Sequence, residues 1–270
     1  MNFDRLVQEF SSIGIKKGDV LALHSSLSSL GHVEGGALTV IRALQEIITE
    51  KGALIMPTHT SSLSCNDNGP FHPKKSGCKK HTGVIPDTFW RMEGVKRSLH
   101  PTHSAAAWGE KADWLIEHHS PFIYAFEENT PFHKAALMGG KILLLGVKNT
   151  RNSSIHVVEH LADAPYLEAS YPLPEGTVYL TEQDDGSVRE YPLTRYIPGC
   201  SKNFDIFDPL LLEKNIMKKC SIGPSESYLI DSYRMMKTLI PCFKKYPVLA
   251  LCRHEDCKCC ANRRKLFFKD

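Results

Sequence analysis

The 270-residue chain has no GxxxxGK(S/T) loop for a nucleoside triphosphate and no HExxH zinc-peptidase motif. It also lacks a GxSxG nucleophile elbow and a GxGxxG dinucleotide fingerprint, so kinase, peptidase, lipase and common dehydrogenase readings lose their usual anchors. Long hydrophobic runs are missing as well. GALIMP and ILLLGV are the longest candidates, the length of buried strands and far below the roughly 18–20 residues that span a bilayer. MNFDRLVQEF carries no basic segment ahead of an apolar one, so no signal peptide or membrane partner is expected and a cytoplasmic chain is. Glycine and proline, 18 and 16 residues, are too few for a collagenous or low-complexity protein. Positive charge is scarce where nucleic acid would need it. Six lysines and arginines against three acidic side chains in residues 252–270 account for the whole net charge of +3. The neutral remainder gives no field for tracking a phosphate backbone, so no nucleic-acid partner is expected.

What is present reads as an α/β chain. Leu6, Val7 and Phe10 share a face of a helix predicted over Phe3–Ser12, and DVLALH follows as a buried strand. Val40, Ile41, Leu44, Ile47 and Ile48 form the face of a second helix, followed by the GALIMPT strand. Thr60–Thr82 has no periodicity, and a loop that long is usually functional or disordered. Helices are predicted around Ile85–Met92, Lys111–His119, Pro209–Lys219 and Ser225–Thr238. KILLLGV is the clearest central strand, and NTRNSS opens a helix over IHVVEHLADA. The alternation and DDG turn of residues 166–197 predict a β hairpin or three-strand meander inserted after that helix. The expected organisation is one α/β domain over residues 1–251, with a mixed sheet, helices on both sides and the β insertion, then a cysteine-rich basic tail over 252–270.

Four islands carry chemistry: HSSLSSLG (His24–Gly31), RSLHPTHSAAAWG (Arg97–Gly109), ENTPFHK (Glu128–Lys134) and LLLGVKNTRNSSIHVVEH (Leu143–His160). In the last, His156 and Glu159 sit i, i+3 on one helix face just after a strand. A carboxylate beside an imidazole fixes its tautomer and raises its basicity, as a general base requires. The same spacing serves a histidine that merely packs the helix. The first island ends a buried strand in hydroxyl side chains, and its backbone N–H groups can hold a phosphate or form an ordinary turn.

Taken in order, HSSLSSLG, GALIMPT, RSxHPxxSAAAWG, ENTPFxK, LLLGV and NxSxHxxE resemble the aminoglycoside N(3)-acetyltransferase family. The resemblance implies the antibiotic N-acetyltransferase fold and acetyl transfer from acetyl-CoA to an amine without a covalent acyl-enzyme. It makes His156 the base, Glu159 its orienting carboxylate, Ser25, Ser26, Ser28 and Ser29 the cofactor-binding turn, and Thr102 and Ser104 the thioester-proximal segment. His24 and His103 fall within the motifs as candidate pocket residues. The antibiotic-modifying members carry a longer segment ahead of Pro86. Here that loop is short, with Lys74, Lys75, Lys79 and Lys80 against Asp67. A basic loop repels a polycation, so a small amine acceptor such as an anionic amino sugar is expected in place of an antibiotic aminoglycoside. The alternatives are an aminoglycoside 3-N-acetyltransferase conferring resistance and an inactive acyl-CoA-binding module; a zinc-dependent enzyme is a third.

Nine cysteines in a chain read as cytoplasmic do not suggest disulfides. Cys257 and Cys260 have zinc-knuckle spacing and Cys252 offers a third thiolate for a structural zinc. The fourth ligand is open among His254, Cys259 and a residue from elsewhere. Cys65, His72, Cys78 and His81 form a weaker set, read as free side chains. Trp90, Trp108 and Trp114 are expected in the core, and His118–His119 at a helix end, where cations are favourable. Oligomeric state is left open.

Overall fold

The computed structural model describes residues 1–169, 173–194 and 197–268. The elements are α1 (Phe3–Ser12), β1 (Val20–Ser25), α2 (Gly36–Ile48), β2 (Ala53–Pro57), α3 (Lys79–Thr82), α4 (Val84–Phe89), β3 (Lys96–Arg97), β4 (Ala105–Trp108), α5 (Ala112–Ile116) and α6 (Pro131–Leu137). They continue with β5 (Lys141–Leu145), α7 (Ser154–Leu161), β6 (Val178–Glu182), β7 (Val188–Pro192), α8 (Asp208–Glu213), β8 (Met217–Ile222), β9 (Ser225–Asp231), α9 (Ser232–Lys245) and α10 (Lys258–Arg264). A seven-stranded sheet runs β3-β4-β2-β1-β5-β9-β8. β1 is parallel to β2 and β5, whereas β4 and β9 join antiparallel on either side. The class is α/β with a mixed sheet and helices on both sides.

The pleat sorts alternate residues into two cores. Val20 and Ala22 of β1 and Ile142 and Leu144 of β5 face a cluster with Val157, Val158, Met235 and Leu239 of α7 and α9. Leu21, Leu23, Leu143 and Leu145 face the other, with Leu6 and Phe10 of α1 and Val40, Ile41 and Leu44 of α2. Strands buried on both faces read as continuous apolar runs, which is why VLAL and ILLL stand out in the sequence.

Two predicted helices are corrected. Over 209–219, α8 ends at Glu213 and β8 begins at Met217; over 225–238, β9 occupies Ser225–Asp231 before α9 starts. The helix predicted over Lys111–His119 is reduced to α5, and Trp114 on it is 40% exposed where a core position was expected. Residues 178–192 form the two-stranded hairpin β6–β7. The long loop before α3 is not free of it: Leu63 bridges Tyr179 and Phe71 bridges Thr181. Phe71 N–H donates to Leu180 O at 2.9 Å and Leu180 N–H to Ser62 O at 3.1 Å. Residues 170–172 and 195–196 of the predicted insertion, and 269–270 of the tail, lie outside the described residues.

Candidate active site

The parallel strands β1, β2 and β5 deliver their carboxyl ends to one crevice, the usual ligand position in such sheets. A cavity of about 890 Å³ opens there, lined by His24 and Ser25 at the end of β1, by Ser26 and Ser28 just after it, by His59 after β2, and by His103, Asn152 and His156. The start of α7 is fixed by a relay of amides. Asp208 Oδ1 accepts from Asn149 Nδ2 at 2.7 Å, Asn149 Oδ1 accepts from Asn152 Nδ2 at 2.8 Å, and Asn152 Oδ1 accepts the Ser154 N–H at 3.1 Å. The last bond satisfies a free N–H of the first turn, as a capping side chain does.

His156 is buried to 7% exposure and wedged between Phe126, stacked at 5.2 Å, and Phe204, edge-on at 4.9 Å. Its Nδ1 lies 2.5 Å from Glu159 Oε2. The second carboxylate oxygen of Glu159 accepts the Tyr166 hydroxyl at 2.7 Å. Glu159 as acceptor puts the Nδ1 proton on that side, so Nε2 is the nitrogen with a lone pair toward the cavity. The pair predicted from i, i+3 spacing is thus in contact and faces the crevice. Behind it, the Arg263 guanidinium lies 5.1 Å from the Tyr166 ring, fully buried, and its charge is held on by Glu159 against the pull of desolvation.

Of the serine turn, Ser25, Ser26 and Ser28 line the cavity. Ser29 turns away, with its hydroxyl on Ser26 O at 2.7 Å and beside Ser225 Oγ at 2.8 Å. Thr102 and Ser104 are buried one layer behind the cavity wall. Thr102 Oγ1 is 2.8 Å from His103 Nδ1, and Ser104 Oγ donates to Thr58 O at 2.7 Å and accepts from Arg97 Nε at 3.2 Å. His24 and His103, the two candidate pocket histidines, do line the cavity.

Three more histidines gather in the same region, two of them, His59 and His119, from outside the four islands. His59 lies 4.7 Å from His103, and His100 stacks on His119 at 5.1 Å. Burial pushes His24, His103 and His119 down to about 3 and holds His59 and His100 well below the ordinary imidazole value, with neighbouring imidazoles adding to the effect on all but His24 and His119. Burial thus disfavours the charged form of His119, where a cation at a helix end was expected. Its Nε2 donates to Ala125 O at 3.0 Å, so its Nδ1 accepts from Ser98 Oγ at 2.9 Å. Nε2 of His24 and of His59 has no hydrogen-bond partner among the described residues.

The basic loop divides. Lys79 and Lys80 line the cavity together with Arg151, whereas Lys75 is paired with Glu182 of the hairpin. No aspartate or glutamate is among the lining residues. Cys200, Cys252, Cys257 and Cys260 offer sulfurs that all lie within 4.8 Å of one another. The three predicted thiolates are thus together, and the nearby fourth donor is Cys200; among the described residues no such group forms around Cys65, His72, Cys78 and His81.

The fold and this crevice define an α/β protein with a ligand-sized cavity at the carboxyl ends of its parallel strands. The family model described as aminoglycoside 3-N-acetyltransferase matches residues 22–244, and the chain belongs to that family. It is 32% identical over 246 residues to aminoglycoside N(3)-acetyltransferase IV of Salmonella sp, covering 91% of this chain and 88% of the relative. It is 26% identical over 252 residues to the type VII enzyme of Streptomyces paromomycinus, covering 84% and 86%. Among solved structures, a histidine-to-alanine mutant of aminoglycoside acetyltransferase AAC(3)-IVa in complex with a gentamicin superposes with a TM-score of 0.83 at 29% identity, covering 98% of this chain and 96% of that one. AAC-IIIb in binary complex with CoASH shares the fold, with a TM-score of 0.78 at 22% identity over 91% of this chain and 97% of that one. No helix among the described residues is long and apolar enough to cross a membrane.

Proposed function

We propose that the chain transfers the acetyl group of acetyl-CoA to an amino group of a sugar-like acceptor by direct attack, with His156 as general base. The observation that carries the reading is the Tyr166–Glu159–His156 chain of hydrogen bonds ending in the cavity. The acceptor nitrogen attacks the thioester carbonyl carbon, His156 Nε2 takes the proton that nitrogen sheds, and the C–S bond breaks to release the CoA thiolate. The proton then passes to that sulfur, so base and leaving group balance. Glu159 holds the ring's tautomer and balances the imidazolium formed in the step. His24 and His59 border the cavity as rings whose charged form burial disfavours. Ser25, Ser26 and Ser28 border the acyl-CoA. Thr102 and Ser104 act from behind the wall, through His103 and the Thr58 backbone. The four-thiol cluster is outside the cavity lining and takes no step in the transfer.

The acceptor we infer is an amino sugar carrying less positive charge than an antibiotic aminoglycoside. A polycation needs carboxylates opposite it, and the wall offers Lys79, Lys80 and Arg151 instead. The phosphates of acetyl-CoA draw on the same cations, so their share has to be separated by measurement. The second reading, an aminoglycoside acceptor, is favoured by the gentamicin complex of the related AAC(3)-IVa.

Thiol release from acetyl-CoA against amino sugars, nucleotide-linked amino sugars and aminoglycosides tests both parts. The expected result is turnover of an anionic amino sugar, with His156→Ala lowering kcat by roughly 10²–10⁴ and leaving CoA affinity unchanged. Turnover of aminoglycosides alone replaces the acceptor. A His156→Ala rate within a few-fold of wild type removes the base.

A further inference from the structure

Cys252, Cys257 and Cys260 come from the turn and first helical residues of the carboxyl-terminal segment, and Cys200 comes from 52 positions before Cys252. Their four sulfurs lie within 4.8 Å of one another, with Cys200 Sγ 3.6 Å from Cys252 Sγ. Sulfurs at the vertices of a tetrahedron around one ion at about 2.3 Å stand about 3.8 Å apart. The observed spacing matches that sphere. It leaves no room for the several irons and inorganic sulfides of a cluster. Three of the four residues are buried, and the fourth is half-buried. His254, which the sequence offered as a fourth ligand, is exposed, and Cys259, though buried, is not among the four.

We propose that Cys200, Cys252, Cys257 and Cys260 form a closed tetrathiolate site for one structural zinc ion. Zinc suits the site because four soft thiolates complete its tetrahedral sphere and leave no open position for water or substrate. The ion does more than tie down a tail. Gly199 and Ser201, the neighbours of Cys200, line the cavity. Cys257 and Cys260 lie at the start of α10, whose Arg263 packs directly beneath Gly199. A Cβ at Gly199 would stand 2.2 Å from Arg263 Nη1. The same arginine lies against Tyr166. A single ion therefore joins the cleft wall at 199–201 to the helix that supports it.

Zinc content of the full-length chain, expressed in zinc-replete medium and purified under reducing conditions, tests the site without reference to turnover. About one zinc per chain is expected. Cobalt(II) exchanged into the same protein should give the intense visible ligand-field bands of tetrahedral thiolate coordination. Cys200→Ser and Cys260→Ser should release zinc to a chelator at least about tenfold more readily than wild type. Cys259→Ser and His254→Ala should hold it as wild type does. Protein without zinc that takes up no cobalt overturns the proposal, as does a disulfide among these cysteines in the purified chain. Zinc that survives Cys200→Ser but is lost with His254→Ala overturns the ligand set.

Discussion

Tyr166 donates its hydroxyl to Glu159 Oε1, the carboxylate oxygen that His156 does not use. His156 is thereby held by Glu159 directly and by Tyr166 through it, and neither has to move for the proposed reaction. Tyr166→Phe keeps the ring against Arg263 and removes only the donor. A hydrogen bond to a charged group contributes about 1.5–3 kcal/mol. The expected outcome is a fall in kcat of roughly 10-fold with the KM for acetyl-CoA unchanged; an unchanged kcat in steady-state assays removes Tyr166 from the positioning role.

The cations of the wall separate cofactor from acceptor. Lys79→Glu with Lys80→Glu should weaken binding of whichever anion they face, by about 1 kcal/mol or more at low salt. Calorimetric titration with CoA reads one arm and the KM of an anionic amino sugar the other. A loss confined to the acceptor KM supports the acceptor reading. A loss confined to CoA assigns both lysines to its phosphates.

Acid should loosen the fold before it protonates many carboxylates. His24, His103 and His119 titrate near 3 when folded, far below the value of about 6.5 that an unfolded imidazole has. The unfolded chain therefore binds protons that the folded chain refuses. Stability from these groups is complete above about pH 6.5 and lost as pH falls toward 3, each adding a slope of up to about 1.4 kcal/mol per pH unit. Urea unfolding at pH 7, 6 and 5 should show that slope, and His24→Asn should flatten it by about one proton. A stability independent of pH over that range contradicts the neutral cluster.

Gly146, at the end of β5, has φ of +66°, and a Cβ there would lie 1.8 Å from Ser29 Oγ and 2.3 Å from Ser29 Cβ. Gly146→Ala would force the serine turn out of place as well as strain the backbone. We expect a loss of about 2–4 kcal/mol in denaturant unfolding together with weaker acetyl-CoA binding. Gly139, where a Cβ meets nothing within 4 Å, serves as the control: Gly139→Ala should cost only the backbone strain of its own positive φ.

The central strands and α7 were legible because burial on both faces writes continuous apolar runs, and because His156 and Glu159 are three residues apart. β8 and β9 were not. Met217 and Ile222 are buried with more exposed residues between them, a spacing that fits neither period well, and β9 runs into α9 without a break. The histidine cluster was hidden for another reason: His59, His100 and His119 stand in separate segments that meet only when β2 and β4 pair. Cys200 is isolated in an aperiodic stretch, so spacing found three thiolates and could not find the fourth. Arg263 read as one more charge in a basic tail, and only packing shows it buried behind Glu159.

The loop over residues 60–76 and the hairpin β6–β7 share backbone hydrogen bonds across more than a hundred positions of sequence. Two segments stitched this way can be replaced only as a set. A longer loop grafted alone would strand the N–H and C=O groups of β6, whereas loop and hairpin exchanged together would carry their own pairing with them. The loop leads directly into Lys79–Gly83 at the rim of the cavity. Under the proposed function, acceptor choice can therefore diverge as a detachable module, while His156 stays fixed on α7.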